Sequence, residues 1–173
     1  MDTFIQRIIA AHRDHWSEAF DPVLLPFTLT LHRAHGVMYG QACGVMERFG
    51  LSPAEFDVLA SLRRSPEPYE LTPSQLRQTL LITSGGLTKV LHQLEGRGLI
   101  VRLTVSGDRR VKPVRLAPAA LPLIGRALEA VMHHAGERIL AHLTPEEIRS
   151  MTGLLARLAG DEGGSVGVVD QSV

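Results

Sequence analysis

The sequence has a single cysteine, no net charge and no long uninterrupted apolar run, and each shortage excludes a class of protein. Cys43 alone cannot form an intrachain disulfide or a zinc site built from several cysteines, which favours a reducing compartment. The most apolar segment, 22–46, is interrupted by Pro26 and Arg33 well short of a membrane-spanning length. The first twenty residues mix charges and lack the apolar core of a signal peptide. We therefore expect a soluble cytoplasmic protein with no membrane partner.

The chain also lacks the short motifs that mark common catalytic sites. It contains no Walker phosphate loop, dinucleotide-binding glycine fingerprint, G-x-S-x-G elbow or H-E-x-x-H motif. The pairs His12/His15 and His32/His35 have a spacing that can bind metal on a helix, but no clear carboxylate or cysteine partner accompanies them. We expect a protein that is not an enzyme and has no cofactor or metal.

The zero net charge hides an uneven distribution of charge along the chain. Residues 63–115 contain ten cations and four acids, so this segment carries +6 and the remainder −6. Within it, the stretch "SGDRRVKPVRL" (106–116) holds four cations in eleven residues. A basic centre between acidic flanks suits a polyanionic partner, although a solvated surface turn is the simpler explanation of one charged stretch.

Three similar pentapeptides predict helix starts: "LSPAE" (51–55), "LTPSQ" (71–75) and "LTPEE" (143–147). In each, the Ser or Thr can cap a helix, the Pro suits the first helical position, and the Glu or Gln closes a capping box. The apolar pattern predicts helices over about 3–19, 24–49, 53–65, 73–80, 84–97, 118–142 and 145–159. The tail 161–173 has no helical pattern and is expected to be flexible.

A basic β-hairpin is predicted after the fifth helix. The β-branched, alternating run 99–105 is followed by the turn "SGD" and by the returning strand 111–116, with Arg109 and Arg110 at the tip. The order helix, short helix, helix, basic hairpin is that of a winged helix-turn-helix. In that fold the second helix of the turn enters the DNA major groove, and the hairpin tip can reach the minor groove.

The helix that begins near Ser84 has two different faces. One face is an apolar stripe of Leu87, Val90, Leu91 and Leu94. The other holds small, hydrogen-bonding or cationic residues, which suit contact with phosphate and base edges. An ordinary amphipathic surface helix would explain this helix alone, but the adjacent basic hairpin favours DNA binding. The candidate DNA-binding residues are Ser74, Gln75, Ser84, Gly85, Thr88, Lys89, His92, Arg109 and Arg110.

The segment 51–120 resembles the core of MarR-family transcriptional regulators. The matching motifs are "EFDVLASL", "LTPSQL", "TSGGLTKVLHQLE", "RGLIVR" and "GDRRVKPVRL", in the family's order. The resemblance implies one domain over 1–160, with a DNA-binding winged helix-turn-helix lobe at about 51–116. It also implies a homodimer that joins through helices at about 3–49 and 118–159 and binds a palindromic site on double-stranded DNA.

A narrower resemblance is to the PecS and urate-responsive branch of that family. Trp16, Asp57 and Arg102 match residues typical of the branch, but Val90 stands where the branch has an arginine. The resemblance implies a small anionic or aromatic effector bound by Trp16, Asp57, Val90 and Arg102, with urate disfavoured because one cation is missing. Core packing of Trp16 and a buried hydrogen-bonding role for Asp57 are equally open interpretations.

The sequence leaves more than one function open. The favoured hypothesis is a transcriptional repressor that a ligand releases from its operator. A ligand-blind architectural DNA-binding protein is the alternative, as is a regulator that responds to thiol oxidation or metal. For Cys43, a buried inert thiol is favoured over a redox sensor because the surrounding helix is strongly apolar.

Overall fold

The computed structural model describes residues 3–80, 84–103 and 113–160, which form a mainly helical structure with a small antiparallel sheet. The predicted wing tip, with Arg109 and Arg110, and the tail 161–173 lie outside these residues. In chain order, the described helices and strands are α1 (Thr3–His15), α2 (Leu24–Arg48), α3 (Pro53–Arg64), β1 (Glu70–Leu71), α4 (Pro73–Thr79), α5 (Ser84–Gly96), β2 (Ile100–Arg102), β3 (Val114–Leu116), α6 (Leu121–Leu140) and α7 (Pro145–Leu158).

The helix starts predicted from the three pentapeptides are confirmed, because each forms both halves of a capping box. At the start of α3, the Glu55 N–H donates to the Ser52 hydroxyl at 3.3 Å, and the Ser52 N–H donates to the Glu55 carboxylate at 2.9 Å. The same reciprocal bonds begin α4 and α7, each with a proline in the first turn. Gly50 ends the α2 segment with a φ of 66°, a left-handed conformation that glycine adopts readily.

Two predicted helices are shorter than expected. The first ends at His15 rather than near residue 19, and a 3-10 turn follows at Ser17–Ala19. The sixth begins with a 3-10 turn at Pro118–Ala120 before α6 starts at Leu121. A continuous helix from residue 118 would need a backbone N–H at position 122, which Pro122 lacks.

The described strands form a three-stranded antiparallel sheet in the order β1-β3-β2. The predicted hairpin is confirmed at its base, where β2 pairs with β3 and Ile100 lies opposite Leu116. Strand β1 was not predicted, because two residues are too short to show an alternating pattern. It pairs with the other edge of β3, where Glu70 lies opposite Arg115 and the two side chains form an ion pair.

The apolar core lies in the winged lobe formed by α3, α4, α5 and the sheet. From α3, the side chains of Val58, Leu59 and Leu62 are fully buried. The apolar stripe predicted for α5 is buried in the same cluster, and α2 and α6 add side chains to it. The buried members from α5 are Leu87, Val90, Leu91 and Leu94. The lobe core therefore fixes how α5 is rotated about its own axis.

The chain divides into two compact units, Met1–His133 and His134–Val173. The first contains α1, α2, the winged lobe and most of α6. The second contains the end of α6 and all of α7. Within the described ranges, no helix is both long and apolar enough to cross a membrane. The expected single domain over 1–160 stays a prediction.

The lobe core predicts the effect of a cavity-creating substitution. Leu59 is fully buried, so Leu59→Ala should lower the free energy of unfolding by about 2–5 kcal/mol. Urea-induced unfolding followed by circular dichroism measures this change. Val101→Ala is the control, because Val101 is exposed on β2 and should change the free energy by less than about 0.5 kcal/mol. Equal losses in the two variants would contradict this assignment of the core.

Candidate nucleic-acid interface

The exposed face of α5 brings most of the predicted major-groove residues together. Gly85, Thr88, Lys89 and His92 are all exposed, and they follow one another at the i, i+3, i+4, i+7 spacing of one helix face. Ser84 begins the helix as predicted, although its side chain lies outside the described part. Since the opposite face is buried in the lobe core, these side chains point to solvent and are accessible to a DNA groove.

The start of α4 adds exposed polar groups on a second helix of the same lobe. Ser74 and Gln75 are exposed in its first turn. The Gln75 side-chain oxygen accepts from the Thr72 N–H at 2.8 Å and from the Thr72 hydroxyl at 2.9 Å, so it is committed to the capping box. Arg77 donates to the Ser74 hydroxyl at 3.3 Å. Arg77 is one of the ten cations of residues 63–115, and no sequence pattern assigned it to a site.

The base of the wing is held by backbone bonds and by an ion pair between β3 and β1. The Leu103 N–H donates to the Pro113 carbonyl at 2.9 Å, so the two chain segments still pair at the last described residues. Arg115 of β3 pairs with Glu70 of β1. The predicted DNA contacts of Arg109 and Arg110 fall outside the described residues and stay predictions.

Trp16 and Arg102 are two of the four predicted ligand-binding residues. Trp16 is 57% exposed, and its indole stacks on the His12 ring with 5.1 Å between centroids. Arg102, at the end of β2, lies 3.1 Å from a Glu95 carboxylate oxygen. The orientation of that pair is poor for a hydrogen bond, and in the described part of the chain the Arg102 Nε and Nη2 atoms are buried without a hydrogen-bond partner.

The other two predicted ligand-binding residues have different environments. Asp57 is exposed on α3, yet the protein around it desolvates the carboxylate and raises its pKa, against the opposing effect of Arg64. Val90 is buried among the lobe core residues. Its side chain therefore serves the packing of α5, as the apolar pattern predicts.

A cavity of about 400 Å³ opens where α2 ends and α3 begins, a volume suited to a small ligand. Its lining residues are Cys43, Glu47, Gly50, Leu51, Ser52 and Pro53. None of the four predicted ligand-binding residues is in this set. The pKa of Tyr39, one helical turn before Cys43 on α2, is raised: the charge of Cys43 contributes most, and burial, a Cys43 hydrogen bond and the Asp57 charge add to it.

The environments of Cys43 and of the histidine pairs bear on the alternatives of thiol oxidation and metal binding. Cys43 is half-buried rather than fully buried. His32 bonds to the Thr28 carbonyl at 2.8 Å, and His35 stacks on Tyr39. Within residues 3–80, 84–103 and 113–160, no group of three His, Cys, Asp or Glu side chains could hold a metal ion.

Known proteins are similar to this chain in sequence and in fold. A MarR-family profile matches residues 49–111. The HTH-type transcriptional regulator PecS of Dickeya dadantii (strain 3937) is 38% identical over 115 residues, which cover 66% of this chain and 68% of that protein. The residues matched by the profile include α3, α4, α5 and β2.

Solved structures share the fold at lower identity. Sco3205, a MarR-family transcriptional regulator from Streptomyces coelicolor solved in complex with DNA, superposes with a TM-score of 0.71 at 19% identity, covering 80% of this chain and 87% of that one. NadR in complex with 4-hydroxyphenylacetate superposes with a TM-score of 0.61 at 24% identity, covering 77% and 92%. At these identities the likeness shows the fold alone.

The exposed face of α5 predicts a sequence-selective role for Lys89. Lys89→Ala should weaken binding to a specific DNA site by about 1–3 kcal/mol and relax selection at one base pair per half-site. Fluorescence anisotropy with specific and random duplexes measures both effects. Arg149→Ala is the control, because Arg149 lies on α7 and pairs with Glu146. Equal weakening on both duplexes would make Lys89 a phosphate contact only.

Proposed function

Because this chain belongs to the MarR family of transcriptional regulators, we propose that it is a ligand-responsive repressor. As a homodimer it binds a palindromic operator, and a small anionic or aromatic ligand releases it. Members of this family are DNA-binding regulators rather than enzymes. The observation that carries the proposal is the exposed polar face of α5, held outward by a buried apolar stripe on the same helix.

DNA binding is supported by the chemistry of the exposed side chains. Lys89 and His92 are exposed on α5 and have side chains long enough to meet base edges, and Gly85 allows close approach of the backbone. Arg77 provides a cation on the neighbouring helix. The wing tip adds Arg109 and Arg110, which we assign to phosphate or to the minor groove.

A homodimer is supported by apolar side chains that the single chain leaves exposed. Helix α7, which the structure describes in full, buries none of its residues. Its exposed apolar stripe consists of Met151, Leu154, Leu155 and Leu158. In the other unit, Phe4, Leu24, Phe27 and Met38 of α1 and α2 are also exposed. A second copy of the chain would cover such surface, which monomeric proteins rarely leave in contact with water.

A ligand is supported by the buried guanidinium atoms of Arg102. In the described part of the chain its Nε and Nη2 atoms make no hydrogen bond, although Glu95 lies 3.1 Å from Nε, so an anionic ligand that takes the place of Glu95 would gain a charge-assisted hydrogen bond. Trp16 offers an exposed ring for stacking, and Asp57 offers an acceptor for a hydroxyl or ring N–H. The 4-hydroxyphenylacetate bound to NadR combines these chemical groups. Because Val90 supplies no charge, we expect a weak or absent response to urate.

Release from DNA follows from the position of Arg102 at the base of the wing. A ligand bound there would contact an element that grips DNA. It can lower DNA affinity only if it binds the DNA-free geometry more tightly than the DNA-bound one. A protein in which no ligand has this effect would be the ligand-blind architectural alternative.

The proposed function predicts both a DNA site and an assembly state. Selection from a random duplex library should recover a palindrome whose half-sites are about one DNA turn apart. Sedimentation equilibrium at micromolar concentration should give the mass of a dimer, because dimer formation would bury the exposed apolar side chains of α1, α2 and α7. A protein that stays monomeric, or that selects no palindrome, would contradict the proposal.

The proposed ligand site predicts a fluorescence response, since Trp16 is the only tryptophan. Titration with 4-hydroxyphenylacetate, benzoate and urate should change Trp16 fluorescence for at least one carboxylate and release the selected palindrome. Arg102→Ala should weaken this release at least about tenfold, the size of one lost charge-assisted bond. Arg149→Ala serves as the control. A ligand that acts with equal potency on wild type and Arg102→Ala must bind elsewhere.

A further inference from the structure

The carboxylate of Glu55 joins the start of α3 to the end of the recognition helix α5. Glu55 is buried, with 8% of its surface exposed. One of its oxygens accepts from the Ser52 N–H and hydroxyl, both at 2.9 Å. The other oxygen accepts from Arg97 Nη1 at 2.7 Å. The carboxylate that closes the capping box of α3 therefore also bonds to a side chain 42 positions later in the sequence.

Arg97 comes directly after α5 and lies across the junction of α2 and α3. Its Nη2 atom would be 3.9 Å from a Cβ atom placed on Gly50, the residue between those two helices. The end of α5 is itself well defined, since the Leu99 N–H donates to the Leu94 carbonyl at 2.9 Å and Gly98 has a φ of 67°. Through its bond to Glu55, Arg97 thus joins the end of α5 to the start of α3.

We propose that the Glu55–Arg97 ion pair positions the recognition helix for sequence-selective DNA binding without touching DNA. The apolar stripe of α5 fixes which face points to solvent, but apolar contacts are non-directional and tolerate small shifts along the helix axis. A charge-assisted hydrogen bond has a defined length and direction. It therefore sets where α5 lies relative to α3, and with it the reach of Lys89 and His92. This inference rests on the proposed DNA-binding function.

The energetics of this pair favour positioning over simple stabilisation. Glu55 is buried, but 39% of the Arg97 side chain is exposed, so water screens their attraction and the pair adds little net stability. The buried residues of α5 are apolar and account for its attachment to the lobe. What the pair adds is a fixed geometry at the end of α5.

Glu55→Gln tests this role because it removes the charge but keeps the cap. Gln75 closes the equivalent capping box of α4 with its amide oxygen, so glutamine fits this position. We expect the preference for the selected palindrome over random duplex to fall about tenfold, comparable to one lost base contact. Affinity for random duplex and the salt dependence of binding should not change, because no phosphate contact is lost.

Two further variants make the result specific. Glu147→Gln changes the net charge equally and alters the matching capping box of α7, where the exposed Glu147 carboxylate accepts from the Thr144 N–H and hydroxyl, and it should bind as wild type. Arg97→Lys keeps the charge and one donor, and its preference should lie between wild type and Glu55→Gln. If Glu55→Gln fails to fold, Glu55→Gln/Arg97→Gln leaves no unpaired charge and is expected to show the same loss of preference.

The measurements separate this inference from the proposed function. A wild-type protein without preference for any palindrome would overturn the proposed function and this inference together. A wild-type preference that Glu55→Gln or the double variant retains would overturn only the positioning role. Equal loss of affinity for both duplexes, together with a lower melting temperature, would show that the pair only stabilises the lobe and would also overturn it.

Discussion

Burial of one face of α5 is the constraint on which the rest of the winged lobe depends. Leu87, Val90, Leu91 and Leu94 enter the core shared with α3, and each fully buried side chain of this kind contributes about 1.5–3 kcal/mol. A helix cannot bury this face without turning the opposite one to solvent. The packing that stabilises the lobe is therefore also what exposes Lys89 and His92.

Ion pairs at the edges of the lobe add direction to this apolar packing. Glu70 and Arg115 join β1 to β3, and Glu55 and Arg97 join α3 to the end of α5. Burial acts to raise the pKa of the Glu55 carboxyl, but hydrogen bonds from Ser52 and the Arg97 guanidinium outweigh it and hold the pKa below its ordinary value. Glu55 is thus charged at neutral pH and available to its partner.

The junction of α2 and α3 combines a cavity with the capping box that contains Glu55. The cavity there is lined by Ser52, which caps α3 and bonds to Glu55. Cys43 of α2 also lines it. A change in packing at this junction would alter the start of α3, and α3 contacts α5 through the lobe core.

The sequence by itself determined the features that depend on neighbouring residues. Capping boxes span three positions and the apolar stripe of α5 repeats every three or four, so helix starts, the buried face and the exposed candidate residues of the described helices were predictable. Tertiary structure alone decided β1, the early end of α1, and the ion pairs between residues 42 and 45 positions apart. Those features require distant segments to meet, and local sequence carries no record of which segment a strand or a charged side chain will face.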